Sequence, residues 1–350
     1  MPDESPIPSE LQRYARQMRY APIGETGQRR LAEGRLLIIG CGALGSVLAN
    51  TLVRAGVGHV RIVDRDYLEL NNLQRQVLYD EQDVADALPK AAAAARKLQR
   101  INSEVTIEPV VKDFDNKNAL SLCEGVHVIV DGTDNFETRF LINDVSAQLS
   151  IPWVYGGCIG AEGQSMTIVP GKTACLRCLM VEPPPPGSSP TCDTAGILGG
   201  IVNVIASIQA TEAIKLLIGD HDAISRNLSV IDLWENQLRQ VKLDSLQESS
   251  DCPTCSGREF PWLSGERGTH TSVLCGRSAV QIYPPEAVDL VLENLAAKLA
   301  GVGDVAFNEF MLRLNVDDYQ LTVFPDGRAI ISGTDEIAEA KSLYARYIGN

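Results

Sequence analysis

Short apolar runs alternate with longer segments of helical period through most of the chain. Leu36 to Ile39 is one such run, compact enough for a buried strand, and an apolar-periodic helix follows it directly. His59 to Val63 predicts a second strand, Val105 to Val110 a third and Val126 to Val130 a fourth. Trp153 to Gly157 and Glu162 to Pro170 add two more, and Leu228 to Leu243 has a strand-like composition. Between them, Pro89-Lys90 opens an alanine-rich helix, Glu137 to Ser150 forms another, and Ala195 to Gly219 predicts a long apolar one. Strands separated by helices in this way predict a mostly parallel sheet with helices on both faces. Asp66 to Arg75 lacks periodicity and predicts a loop near a strand's carboxyl end, the edge where open parallel sheets bind ligands. Beyond about Gly268 two strand patterns (Ala279 to Ile282 and Gln320 to Val323), a Pro325-Asp326-Gly327 turn and two helical stretches predict a small α/β appendage. The expected parts are a helical segment over 1–34, an α/β domain over 35–260 and a small α/β domain over 268–350, with no internal repeat.

Composition narrows the class without naming it. A hydrophobic fraction of 45% and a charged fraction of 22% are ordinary for a globular chain with a large core. A net charge of −14 argues against nucleic acid or an anionic membrane as the main partner, since both reward a basic face. Asn203, Gln209, Glu212 and Lys215 interrupt the longest apolar run, so it predicts a buried helix, not a membrane span. The acidic, proline-bearing start MPDESPIPSE does not resemble a signal or transit peptide. Nine cysteines without a secretory signal suggest thiols or metal ligands over a disulfide framework, and a cytoplasmic location is expected.

The chemistry begins at Gly40-Cys41-Gly42-Ala43-Leu44-Gly45, which joins the first strand to its helix. The glycines permit a tight turn and close backbone approach, and the helix N-terminus offers N–H groups and positive dipole to phosphate. Asp64 ends the second strand, roughly 20 residues on, where it can accept hydrogen bonds from ribose hydroxyls. Strand, glycines, helix, strand and acid together predict a Rossmann-like nucleotide site. Lys90 sits early in its helix, where the dipole disfavours a cation unless an anion is near, so it is a candidate phosphate ligand. Asp131-Gly132-Thr133-Asp134-Asn135 ends the fourth strand and predicts a magnesium and phosphate station; the plainer reading is turn chemistry. Arg13, Arg16, Arg19, Arg29 and Arg30 form either a solvated basic helix or the source of an arginine that reaches a phosphate across a dimer interface.

Cys175-Leu176-Arg177-Cys178 and Cys252-Pro253-Thr254-Cys255 are two CxxC knuckles. Four thiolates at this spacing fit tetrahedral zinc in a closed and therefore structural site. The alternative, a pair of redox-active dithiols, is weakened because neither pair starts a helix of a thioredoxin-like unit.

Taken together, these segments resemble the ThiF/MoeB adenylyltransferases, bacterial relatives of ubiquitin-activating enzymes. The likeness covers roughly Arg13 to Ser256. It rests on Arg13-Tyr14-Ala15-Arg16-Gln17, the glycine loop, Asp64-Arg65-Asp66, Asn72-Leu73-Gln74-Arg75-Gln76, Pro89-Lys90, Asp131 to Asn135 and the two cysteine pairs, all in the family's order. Trp153-Val154-Tyr155-Gly156-Gly157 and Cys192-Asp193-Thr194-Ala195-Gly196 resemble the thiazole-biosynthesis ThiF type. The resemblance implies adenylylation, with ATP and magnesium, of the C-terminal Gly-Gly carboxylate of a ubiquitin-like sulfur carrier. It implies a nucleotide pocket of Gly40, Gly42, Ala43, Gly45, Asp64, Asp66, Asn72, Arg75, Gln76, Lys90, Asp134 and Asn135. Within it Asp134 holds magnesium, Arg75 and Lys90 bind phosphates, Asp64 binds ribose and Asn72 assists with the phosphates. Arg16 is implied as a finger from the second subunit of a homodimer.

Three rival readings share the nucleotide half. A nicotinamide-dependent dehydrogenase would need a hydride-transfer histidine, and His59, His127, His221 and His270 offer no convincing one. A dehydratase acting on transfer RNA is disfavoured by the acidic charge and the zinc knuckles, and a non-catalytic scaffold by the full set of charged groups. Cys192 follows a proline-rich loop (Glu182 to Pro190, expected to pass over the carrier tail) and precedes a helix, which favours a reactive thiol; Asp193 opposes it. It is therefore either a covalent sulfur-handling residue or a loop cysteine without chemical role, and a desulfurase is the other route for sulfur. Cys41 is expected only to be small, and Cys123 and Cys158 have no assigned role. The segment after Gly268 is too short for a rhodanese domain, and its Cys275 is expected to be structural; the segment could instead dock a carrier or another partner.

Overall fold

Five strands, β1 (Arg35–Ile39), β2 (His59–Val63), β3 (Thr106–Val110), β4 (Val128–Asp131) and β5 (Trp153–Ile159), lie parallel in the order β3-β2-β1-β4-β5. Three more, β6 (Glu162–Ile168), β7 (Asn227–Asp232) and β8 (Gln237–Lys242), extend that sheet antiparallel. The computed structural model describes residues 7–184, 195–248, 251–267, 272–274, 278–283 and 290–348. It divides into two compact units, Met1–Ser189 with Ile197–Arg267, and Pro190–Gly196 with Gly268–Asn350.

In the first unit the chain leaves β1 for β2 on one side, and β4 occupies the other. That reversal opens a crevice at the carboxyl ends of β1 and β4, where no helix connection crosses the edge. Among the described residues, the longer helices beside the sheet are α1 (Gly24–Glu33), α2 (Ala43–Ala55), α3 (Lys90–Ile101), α4 (Phe136–Leu149) and α5 (Gly199–Ile218). α2 stops at Gly56, whose φ of +86° ends the helix in a left-handed cap. α5 is apolar enough by composition to cross a membrane, yet it packs on α2, β5 and β6. Two of its polar residues are spent inside: Gln209 Nε2 donates to the carbonyls of Asp131 (2.8 Å) and Val154 (3.1 Å), and Glu212 accepts from Thr167 and Ser225. On another part of the core, Trp153, Phe140 and Trp262 are buried together, with the Phe140 and Trp262 rings 4.4 Å apart.

The strands expected from sequence occupy their places within a few residues. α5 begins later than its apolar run, because Gly196 is left-handed (φ +72°) and Ile197 and Leu198 pair with Gly160 first. Leu228 to Leu243 resolves into the β7–β8 hairpin, turned at Asn236 with φ +52°. In the second unit, β9 (Ser272–Leu274), β10 (Ala279–Ile282), β11 (Asp304–Phe307), β12 (Leu312–Val316), β13 (Tyr319–Val323) and β14 (Ala329–Ser332) form an antiparallel sheet of order β11-β12-β13-β14-β10-β9. Helices α6 (Leu292–Leu299) and α7 (Ile337–Tyr347) share a core with Val280, Leu312, Leu314, Leu321, Val323 and Ile331. Two of the six strands were expected; the other four, three to five residues long, were not.

Gln209 is the buried peg between α5 and the sheet. Gln209→Leu removes the donor from two buried carbonyls and should cost about 2–4 kcal/mol of stability. Urea unfolding of the variant beside the unsubstituted chain measures this.

Candidate active site and metal centre

Around the crevice, backbone meets backbone. Gly40 has φ +84°, and a Cβ there would stand 2.6 Å from the Gly132 carbonyl oxygen. A Cβ on Gly132 would stand 2.3 Å from the Gly40 oxygen, and one on Gly45 only 1.9 Å from it. The loop after β1 and the turn after β4 therefore touch with no room for a side chain. Gly42 caps α2 and Ala43 is its first residue, and among the described residues no side chain bonds the first N–H groups of this helix. Such an end is suited to a phosphate.

Asp64, at the end of β2, is buried beneath the loop. Its Oδ2 accepts from Cys41 N (2.6 Å) and its Oδ1 from Asp66 N (2.7 Å), each oxygen keeping a second acceptor position. Burial pushes its pKa up, while the charge of Lys90 pulls it down. Lys90 opens α3 and is buried, with Nζ 2.9 Å from Asp66 Oδ2 and its N–H donating to the Asp66 carbonyl (2.8 Å). Two carboxylates thus compensate one buried ammonium at a helix start where the dipole disfavours it. Tyr79 binds the parts together: its hydroxyl donates to the Cys41 carbonyl (2.7 Å) and lies 3.2 Å from the Lys90 carbonyl. Cys41 itself is pushed up to about 12, chiefly by burial, and is chemically quiet.

The loop after β2 carries the next group. Asn72 is buried in a short 3-10 turn (Leu70–Asn72), its Oδ1 accepting from Glu69 N at 3.1 Å. Gln76 is buried beside Gly42, its Nε2 3.7 Å from where a Gly42 Cβ would lie, and its Oε1 has no hydrogen-bond partner among the described residues. Arg75 is half-buried and donates to the Asn71 carbonyl (3.0 Å).

At the end of β4 the two aspartates of the expected magnesium station part company. Asp131 is buried: its Oδ1 accepts from Thr133 N (2.9 Å) and Oγ1 (2.7 Å), and its Oδ2 from Arg139 Nε (3.1 Å). Burial pushes its pKa up, and Arg139 and Thr133 pull it down. Asp134 is exposed, while Asn135 caps α4 by accepting from Thr138 N (2.8 Å). Of the two acids only Asp134 has its carboxylate open to a metal, because Asp131 is engaged on both oxygens. Arg16 is exposed on the turn Ala15–Met18, and no contact ties it to the pocket among the described residues. Cys192, Cys275 and most of the proline-rich loop lie outside the described residues. Sequence reasoning missed Tyr79 and Arg139 and marked Gln209 only as a polar break in an apolar run, because their roles arise from contacts between distant elements. Arg139 left a trace of its own, as a lone cation on a helix that ends up buried.

A second centre joins the cysteine pairs. Cys175, Cys178, Cys252 and Cys255 bring their sulfurs within 4.8 Å of one another. Cys175 to Cys252 is 3.6 Å, Cys178 to Cys255 3.7 Å and Cys175 to Cys178 3.8 Å. A zinc tetrahedron with Zn–S of about 2.3 Å has edges of about 3.8 Å, so the cluster fits that ion. Hydrogen bonds from Cys175 pull the pKa of Cys178 and of Cys252 down, and the Cys175 thiol is pushed up in exchange. Arg177, between the first pair, is buried over the Trp262 ring at 5.2 Å and donates to Thr254 Oγ1 of the second (3.2 Å). Asn143 of α4 accepts from Leu176 N (2.8 Å), which fixes the knuckle to the helix that Asn135 caps.

The ThiF family model matches residues 14–254. A Bacillus subtilis protein named sulfur carrier protein ThiS adenylyltransferase is 47% identical over 339 residues, 96% of this chain and 99% of that one. A Thermus thermophilus sulfur carrier protein adenylyltransferase is 37% identical across 70% of this chain and 91% of its own. Among solved structures, E. coli MccB has the same fold, with a TM-score of 0.61 at 23% identity over 71% of this chain and 75% of MccB.

Purified protein should carry one zinc per chain by elemental analysis, and Cys175→Ser should lose it. Because a closed site of this kind contributes folding energy, strong chelation should also lower the thermal midpoint.

Proposed function

We propose that this chain, which belongs to the ThiF family, transfers the adenylyl group of ATP to the C-terminal Gly-Gly carboxylate of a ubiquitin-like sulfur carrier of the ThiS type. The observation that carries this reading is the match to the ThiS adenylyltransferase along 99% of that protein's length. The pocket supports it chemically. A terminal carboxylate, with a pKa near about 3.5, is already ionised at neutral pH and attacks the α-phosphate without a general base. What the step needs is neutralisation of a phosphate approached by an anion, and in-line positioning. Products are the carrier acyl-adenylate and pyrophosphate.

In this reading the α2 N-terminus and glycine loop cradle phosphate, and Asp64 takes the ribose. Lys90 exchanges part of its pairing with Asp66 for phosphate oxygens, and Arg75, Asn72 and Gln76 line the same side. Magnesium, when bound to Asp134, supplies charge neutralisation between the phosphates and the leaving pyrophosphate. Arg16 completes the site from the second subunit of a homodimer, and its exposure is compatible with that use. Sulfur reaches the activated carrier from a desulfurase, directly or through Cys192. The four-cysteine centre has no open ligand position and acts structurally.

Carrier-dependent ATP–pyrophosphate exchange tests the reading, with a ThiS-type and a MoaD-type carrier assayed separately. Exchange with the ThiS-type carrier is expected, falling at least about a hundredfold in Asp134→Ala and in Arg75→Ala. Exchange with neither carrier would sink the proposal; exchange with the MoaD type alone would reassign the carrier.

A further inference from the structure

Asp134 is exposed and stands on a turn, takes no hydrogen bond among the described residues, and yet has to meet a metal ion in a fixed place. Its position is set by its backbone, and that backbone is held from below. Thr133, the residue before it, is bound at three points: its N–H and hydroxyl both donate to Asp131 Oδ1, and its carbonyl accepts from Arg139 Nη2 at 2.8 Å. The same Nη2 donates to the Gly156 carbonyl of β5 (3.0 Å), while Nε holds Asp131 Oδ2 (3.1 Å). Arg139 is 7% exposed and lies against the Phe136 ring (5.5 Å) and the Tyr155 ring (5.3 Å). Gln209 holds the Asp131 carbonyl from α5.

A buried ion pair is a poor way to add stability, because desolvation offsets most of the attraction and an apolar pair often does as well. What a guanidinium provides instead is a rigid planar fork that fixes several acceptors at once. Here the acceptors are the carboxylate at the end of β4, the carbonyl that precedes Asp134, and a carbonyl of the neighbouring strand.

We propose that Arg139 is a positioning residue for the metal: through Asp131 and Thr133 it sets the place of the Asp134 carboxylate, without touching nucleotide or metal itself. The inference rests on the reading of Asp134 as the magnesium ligand of an ATP site. It leaves the glycine loop, Asp64 and Lys90, which hold the nucleotide, outside the effect.

The test measures ATP binding by calorimetry on the full chain without any carrier, in EDTA and then across a magnesium series. Arg139→Lys keeps the charge but replaces the fork with a single donor centre. The magnesium concentration for half-maximal effect should rise about tenfold, with ATP affinity in EDTA held within about twofold. Thr133→Val, which removes only the hydroxyl bond to Asp131, should shift the magnesium dependence in the same direction by about two- to threefold. An unshifted magnesium dependence in a folded Arg139→Lys overturns the proposal. So does an equal loss of affinity in EDTA, which would mean a general packing role. Should Arg139→Lys fail to fold, an unshifted Thr133→Val overturns it alone. Absence of any magnesium effect in the unsubstituted chain would instead remove the ATP–magnesium reading itself, and this inference with it.

Discussion

The contact on which the rest of the first unit depends is the meeting of Gly40 with Gly132. β1 and β4 are neighbours in the sheet, and the chain turns away from each of them within one residue of its end. Side chains at these turns would keep the two backbones apart, since a single Cβ on either glycine would stand within 2.6 Å of the other's carbonyl oxygen. Because both are glycines, the glycine loop after β1 and the Asp134 turn form one continuous rim. A nucleotide bound on the α2 end is then within reach of an acid at the end of β4, which is what a metal-assisted phosphate reaction requires.

Beneath that rim the charges are already compensated. Lys90 has Asp66 and Asp64 for company, and Arg139 has Asp131. The two pairs differ in access. The Asp66 carboxylate is one-quarter exposed, so a phosphate can compete for Lys90, whereas Asp131 is fully buried and its pair is fixed. One pair is thus suited to exchange partners on binding and the other to hold geometry, a difference made by burial alone.

The cysteine centre carries the same logic to the far side of the sheet. Its two knuckles lie 77 residues apart, and Asn143 of α4 reaches both, accepting from Leu176 N and donating to Thr254 Oγ1 (3.5 Å), while Asp144 Oδ2 accepts from Trp262 N (3.0 Å) just beyond the second. Asp144 is fully buried, which pushes its pKa up to about 6. α4 begins at the turn that bears Asp134 and carries Arg139, and its later turns meet the metal centre. A structural ion bound there would steady the helix from which the Asp134 turn is held.

How much of this was legible in the sequence depends on whether the signal is local. The glycine loop, β2 ending on Asp64, Lys90 behind Pro89 and the two CxxC knuckles are local patterns, set by backbone sterics, helix dipoles and ligand spacing. They were sufficient to predict a Rossmann-like sheet, a nucleotide site and a zinc-type cluster, and the strands fell within a few residues of their expected places. Four of the short strands after Gly268 were not recognised, although Leu312–Val316 alternates apolar and polar residues. The residue pattern alone left Asp131 and Asp134 as two acids in one turn, and it was the family resemblance that put the metal on Asp134. Only the tertiary structure decided that Arg139, eight residues along on α4, and Gly156 on β5 close over the first and leave the second open. Pairing, burial and the sharing of one guanidinium among three acceptors are properties of folded neighbours. They depend on distances that no stretch of the chain contains by itself.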